Sequence, residues 1–214
     1  METLKTKQAE VPLKPSKILR SHFLSLGRRL SSWCSNNDAF TLGVTSLKTR
    51  EGRSTVASNL AAAMVNLHSE SILLVQSDLA GPIRRKAIGP GLVEVLLGDV
   101  APEDAIAPTS VENLDILRAG AINDHEALEL PLEAIESLNA DLESSYKYII
   151  YDLPHSSELD LGLLLAQQLD GTIIVADSNG VDTSALQRFQ KKAVDYNVEL
   201  IGVVLNKRQP ANQK

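Results

Sequence analysis

The run Gly43-Val44-Thr45-Ser46-Leu47-Lys48-Thr49-Arg50-Glu51-Gly52-Arg53-Ser54-Thr55-Val56-Ala57-Ser58-Asn59-Leu60-Ala61 decides how this chain is read. Its first residues continue an apolar segment that starts at Phe40, and its last residues open a stretch with helical apolar spacing. The loop between them leads into a helix N-terminus, where unpaired backbone N–H groups and the positive dipole end suit a phosphate. Ser54 and Thr55 stand where a hydroxyl would face Mg²⁺. The general cradle pattern is G-x-x-x-x-G-K-[ST], and Gly52, Ser54 and Thr55 fit it. Leu47 takes the first glycine position and Arg53 the lysine position. Arginine keeps the charge but is planar, longer and forked, so the exchange is not conservative. Taken alone, the loop is as consistent with a capped structural turn as with a nucleotide site.

Outward from this loop the chain alternates short apolar runs with longer helical stretches. The runs Phe40–Thr45, Ser71–Gln76, Leu114–Leu117, Tyr148–Asp152, Thr172–Ala176 and Leu200–Leu205 read as strands. Thr55–His68, Gly91–Leu97, Glu126–Leu142, Leu159–Leu169 and Thr183–Tyr196 read as helices. Near-continuous Val, Ile and Leu in strands separated by helices predicts an α/β fold, a doubly wound and mostly parallel sheet with helices on both faces. Ligands of such sheets sit at the carboxyl ends of the strands.

Before the first strand, residues 1–16 read as a mobile basic arm, with Pro12 and Pro15 in a polar stretch. Ile18, Leu19, Phe23, Leu26 and Leu30 predict an amphipathic helix within 17–36, which with its linker precedes an α/β domain over 37–208 and a short polar tail over 209–214. Residues 1–30 hold seven Lys or Arg against two Asp or Glu, a net of +5, which leaves −11 for the rest of a chain whose total is −6. An acidic body argues against a nucleic-acid binder, because phosphate neutralisation needs a broad basic face. The basic head suits an anionic membrane surface or an acidic partner, and suits equally a solvated tail. No apolar run reaches the ~18 residues that span a bilayer, and the N-terminus has no apolar core of an export signal. The lone Cys34 fits a reducing compartment, so the expected location is cytoplasmic, with at most a peripheral membrane contact through the arm. His22, His68, His125 and His155 lack metal-ligand spacing, and Tyr146, Tyr148 and Tyr151 read as core and rim residues.

Several motifs together resemble a known family, the bacterial tyrosine kinases of capsule and exopolysaccharide synthesis, relatives of the partition and cell-division ATPases with deviant P-loops. Thr45-Ser46, Glu51-Gly52-x-Ser54-Thr55 and Asn59-Leu60-Ala61 match its loop, T-S-x-x-P-G-E-G-K-S-T-x-x-x-N-L-A, in order and spacing. Gly91-Leu92-Val93-Glu94-Val95-Leu96-Leu97-Gly98 resembles its G-L-x-x-x-L-x-G helix. Asn113–Gly120 is similar to its L-x-V-L-P-A-G strand end, Tyr148–Pro154 to its aspartate strand and Gly202–Asn206 to its last strand. The resemblance covers about residues 18 to 208.

The resemblance implies nucleotide contacts at Glu51, Gly52, Arg53, Ser54, Thr55 and Asn206, the last reading the adenine edge. It implies Mg²⁺ at Ser54, Asp78 and Asp152, should nucleotide bind; Asp152 reads otherwise as a strand-terminal turn residue, and so does Asn206. The family's D-x-D-L-R motif is here Gln76-Ser77-Asp78-Leu79-Ala80. Glutamine offers neither a proton acceptor nor a charge for a metal, so Asp78 is the one remaining candidate for a catalytic carboxylate. The ring-forming E-x-x-R-x-x-R positions fall on Ser21, Leu24 and Gly27, and 207–214 holds no tyrosine for the family's tail phosphorylation. These departures favour a degenerate member that binds or regulates a partner, such as a membrane-embedded chain-length regulator of polysaccharide export. The alternatives are a weak ATP-binding or ATP-hydrolysing protein, or a tyrosine kinase with an altered loop, and a scaffold of another pathway that shares only the fold. The cofactor expectation is accordingly ATP or ADP with Mg²⁺, or none; oligomer formation stays open.

Overall fold

The computed structural model describes residues 11, 13, 17–33, 39–79, 89–121, 130–156 and 161–208. Most of the basic arm, the linker over 34–38 with Cys34, the segment 122–129 where a helix was expected to begin, and the tail over 209–214 lie outside these residues.

The first helix, α1 (Lys17–Ser31), is followed by β1 (Phe40–Ser46), α2 (Arg53–Val65) and β2 (Ile72–Gln76). Then come α3 (Leu92–Leu96), α4 (Pro102–Ala105), β3 (Ile106–Pro108) and β4 (Leu114–Leu117). The chain continues through α5 (Ala134–Leu142), β5 (Tyr148–Asp152), α6 (Leu161–Ala166), β6 (Gly171–Asp177), α7 (Thr183–Asp195) and β7 (Leu200–Asn206). The described strands form one sheet in the order β3-β4-β2-β5-β1-β6-β7. All pairings are parallel except β3 with β4. The α/β reading therefore holds, with an antiparallel edge that the apolar pattern did not announce.

Continuous apolar strands are buried on both faces, as two separate apolar clusters show. One face carries Leu42, Val44, Ile72, Leu74, Ile116, Ile150, Ile173 and Val175 beneath α2 and α1. The other carries Leu73, Val75, Leu117, Ile149, Tyr151 and Ile174 beneath α3, α5, α6 and α7. Val56, Ala57, Leu60, Ala61, Ala63 and Met64 of α2 are all buried, because α2 is covered by the sheet on one side and by α1 on the other. On α1, Phe23, Gly27 and Leu30 lie inward at helical spacing. A Cβ on Gly27 would stand 2.8 Å from Leu67 Cδ1 and 3.3 Å from Met64 Cγ, so the glycine permits the close approach of the two helices. The positions compared with a ring-forming motif thus serve, at Leu24 and Gly27, a contact within the chain.

The helix expected over Glu126–Leu142 is described as helix only from Ala134, after a turn at Pro131–Glu133. The turn follows from Pro131, which lacks the N–H a helix interior needs. Tyr146, Tyr148 and Tyr151 are buried. Tyr146 donates its hydroxyl to Asp115, and burial with that neighbouring carboxylate raises its pKa; burial alone raises that of Tyr151. These are core groups, as their place on and beside an apolar strand suggested. Among the described residues no helix is long and apolar enough to cross a membrane.

Candidate functional site

Parallel order brings the carboxyl ends of β1, β2, β5 and β6 to one edge of the sheet, and the loop 47–52 rises there between β5 and β6. Leu47 is 4% exposed and belongs to the apolar cluster beneath α6. A leucine at the first glycine position therefore anchors the loop by burial, where a glycine would leave it to backbone contacts alone. Ser46 Oγ donates to the Lys48 carbonyl, and Ser156 Oγ to the Leu47 carbonyl. Arg50 and Gly52 both have positive φ, of 62° and 92°. A Cβ on Gly52 would lie 2.2 Å from Asn206 Nδ2, so glycine is needed for conformation and for space.

Two of the expected nucleotide contacts are occupied within the chain. Glu51 is 7% exposed, and its carboxylate accepts from the Lys48 amide at 2.8 Å and, more weakly, from the Asp177 amide at 3.4 Å. Asn206 Nδ2 donates to the Glu51 carbonyl at 2.9 Å. Both side chains pin the loop to the ends of β6 and β7. Lys48 pairs with Asp182 at 3.1 Å. Asp182 also caps α7 by accepting from the Ala185 amide, and that bond, with the lysine beside it, lowers its pKa. Asp177 accepts from Lys207 at 2.9 Å and from Asn179. Sequence reasoning did not single out Asp177, Asp182 or Ser156; each follows a strand or caps a helix, the one signal that would have found them.

The central feature is Arg53. Its Nε donates to Asp152 Oδ1 at 3.0 Å and its Nη2 to Asp78 Oδ2 at 2.7 Å. The Arg53 side chain is 10% exposed, Asp152 9% and Asp78 38%. The strand register explains the meeting: Gln76 pairs with Asp152 across β2 and β5, and Asp78 lies two residues past the end of β2. Arg53 begins α2 and reaches both. The third corner of the guanidinium, Nη1, is buried and has no hydrogen-bond partner among the described residues. Burial raises the Asp152 pKa, with Arg53 and a hydrogen bond from Ser54 pulling the other way.

The structure thus brings together Arg53, Ser54, Asp78 and Asp152, and places Glu51, Gly52 and Asn206 beside them. Mg²⁺ does not fit the two carboxylates as they stand. One oxygen of each is held by a cation of the protein, and Gln76 stands in the first acidic position. Among the described residues no group of three or more His, Cys, Asp or Glu side chains is placed to hold a metal ion.

No family model matches the chain. It is 26% identical over 167 residues to the tyrosine-protein kinase YwqD of Bacillus subtilis, across 76% of this chain and 70% of that protein. The kinase domain of VpsO superposes with a TM-score of 0.71 at 27% identity, covering 90% of this chain and 98% of that one. The septum site-determining protein MinD of Pyrococcus horikoshii, complexed with Mg-ADP, shares the fold with a TM-score of 0.61 at 23% identity, over 78% and 70% of the two chains.

Proposed function

From the premise that this chain is a homologue of the bacterial tyrosine-protein kinases and has the α/β fold of P-loop ATPases, we propose that it is a degenerate member, acting by binding or regulating a protein partner in capsule or exopolysaccharide synthesis. The observation that carries this reading is Arg53 in the lysine position, with its guanidinium turned onto Asp78 and Asp152. Phosphoryl transfer is mostly positioning and charge stabilisation by a phosphate-directed cation and bound metal. Here the cation serves the carboxylates, and Gln76 cannot act as a base. The loop is also braced from within by Glu51 and Asn206. The structure of a kinase is kept while its working groups are committed to each other.

The partner surface that best suits this reading is α1, whose outward residues Arg20, His22, Arg28 and Arg29 are exposed. Together with the basic arm they would meet an acidic cytoplasmic segment of a membrane-embedded chain-length regulator. Nucleotide binding without turnover is a second reading, favoured by Arg53 Nη1, a buried donor that a phosphate oxygen would satisfy.

The test is phosphoryl transfer from ATP with Mg²⁺ by the purified chain, to itself and to a tyrosine polymer, beside the double variant Arg53→Lys/Gln76→Asp. No transfer by the native chain is expected. Transfer that disappears in Asp152→Ala would overturn the reading. For the partner surface, Arg28→Glu/Arg29→Glu should weaken capture of a peptide from the cytoplasmic face of a chain-length regulator, while Arg53 variants leave it unchanged.

A further inference from the structure

We propose that Arg53 is a built-in replacement for a divalent cation, and that its removal turns the site into one that binds a metal ion. The inference deepens the reading above and rests on it in one respect, that the loop 47–54 descends from a metal-dependent phosphate cradle. Two observations carry it. The guanidinium makes short bonds to two carboxylates on different strands, Asp152 at the end of β5 and Asp78 past the end of β2. The hydroxyl-bearing Ser54 follows Arg53 in the first turn of α2, so two carboxylates and a neighbouring hydroxyl make up the oxygen donor set at the end of this helix. That set is of the hard-oxygen kind that Mg²⁺ and Mn²⁺ take, completed by water. The guanidinium and a divalent ion are therefore alternatives for the same acids.

The two occupants differ in what they allow. A metal ion offers open positions to phosphate oxygens, whereas the fork of Arg53 spends Nε and Nη2 on the carboxylates and offers only Nη1. One positive charge between two carboxylates also leaves a negative surplus that a divalent ion would remove. Any ligand of this cradle is consequently recognised without help from Mg²⁺.

The experiment uses the full chain and two probes, Mn²⁺ followed by its electron paramagnetic resonance signal, and ADP followed by calorimetry in EDTA and in Mg²⁺. The native chain is expected to leave Mn²⁺ free, and to show the same ADP affinity within twofold in both buffers or no ADP heat in either. Arg53→Ala is expected to bind one Mn²⁺ per chain and to gain thermal stability from it; Arg53→Ala/Asp152→Asn is expected to lose that site. If Arg53→Ala fails to fold, Arg53→Met, which fills the same volume without charge, replaces it. Mn²⁺ bound by the native chain and released by Asp152→Asn would overturn the proposal. So would ADP binding tightened tenfold or more by Mg²⁺, or an Arg53 variant that folds and binds no Mn²⁺. Phosphoryl transfer without any Mg²⁺ effect on ADP affinity would sink the non-catalytic reading and leave this one standing. Mg²⁺-dependent ADP binding without transfer would do the reverse.

Discussion

Two loops at the carboxyl edge of the sheet are built from the same parts and end differently. At the junction of α3 with the end of β4, Glu94 accepts from the Gly91 and Ala121 amides, while Gly120 has a φ of 85°. A Cβ on Gly91 would lie 2.3 Å from the Arg118 carbonyl, and one on Gly120 would lie 2.1 Å from Glu94 Oε2. At the loop 47–52 Glu51 likewise holds two amides, and Gly52 likewise has positive φ with a polar side chain against it. At the junction, among the described residues, the carboxylate accepts from the amides it braces, and it is a structural corner. The loop adds a cation locked between two acids, with one donor unmet. The difference separates a brace from a site: shared bracing shows how an edge loop is held, and only the surplus chemistry points to a former or present ligand.

The largest effect should come from breaking the surplus. Arg53→Met leaves Asp152, a 9% exposed side chain, without its cation and beside Asp78. Stranding one member of a buried ion pair costs about 3 kcal/mol, read as a lowered urea midpoint at unchanged m-value. Adding Asp78→Asn and Asp152→Asn to Arg53→Met should return most of that loss, since three neutral groups need no counterion. A triple variant as unstable as the single one would mean that Arg53 matters through packing alone. Among the described residues the junction has no equivalent ion pair, since there Glu94 is held by backbone amides.

The next effect probes what the two loops share. Gly52→Ala puts a Cβ 2.2 Å from Asn206 Nδ2 at a φ of 92° and should destabilise by about 2 kcal/mol, from clash and left-handed strain together. Asn206→Ala in the same chain should relieve the clash and leave about 1 kcal/mol of strain. If the double variant is no better than Gly52→Ala, then Asn206 is not the obstacle. At the junction Glu94→Ala should cost about 1 kcal/mol, less than the corresponding Glu51→Ala at about 2 kcal/mol. Glu51 is buried, so its amides lose their acceptor where water is scarce, whereas the Ala121 end of the Glu94 bridge is exposed.

These loops also mark where the sequence could be read and where it could not. The apolar runs gave the strands to within a residue or two, because a buried parallel strand needs an unbroken apolar stretch. The three residues Ile106–Pro108 are too few to show a period, and their antiparallel pairing with β4 went unseen. Arg53, Asp78 and Asp152 were legible one by one as motif positions. That a single guanidinium would hold both acids was not, since it depends on the pairing of β2 with β5 and on the reach of the first residue of α2. Glu51 and Asn206 read as ligand contacts from motif spacing, which says where a side chain stands and not which neighbours within the chain it also meets. The motifs 91–98 and 113–120 looked independent along the chain, yet in space they form one joint through Glu94.

The smallest effect concerns pH and separates the rim of the loop from its centre. Asp177 accepts from Lys207 and from the Asn179 amide, and its pKa is lowered from 3.8 to about 2, with the lysine bond the first cause. A folded pKa below the unfolded one means that this latch contributes above the unfolded value and is lost as pH falls from about 4 towards 2. The carboxyl carbon of Asp177, followed by NMR, should therefore titrate near 2 in the native chain. In Lys207→Met it should titrate nearer the ordinary value, while stability at neutral pH changes little because the pair lies in solvent. A native midpoint at the ordinary value would show that the latch is open in solution. The loop would then be held at this end by Glu51, Asn206 and the Lys48–Asp182 pair, as the junction is held by Glu94, and Arg53 would remain the feature that sets the two loops apart.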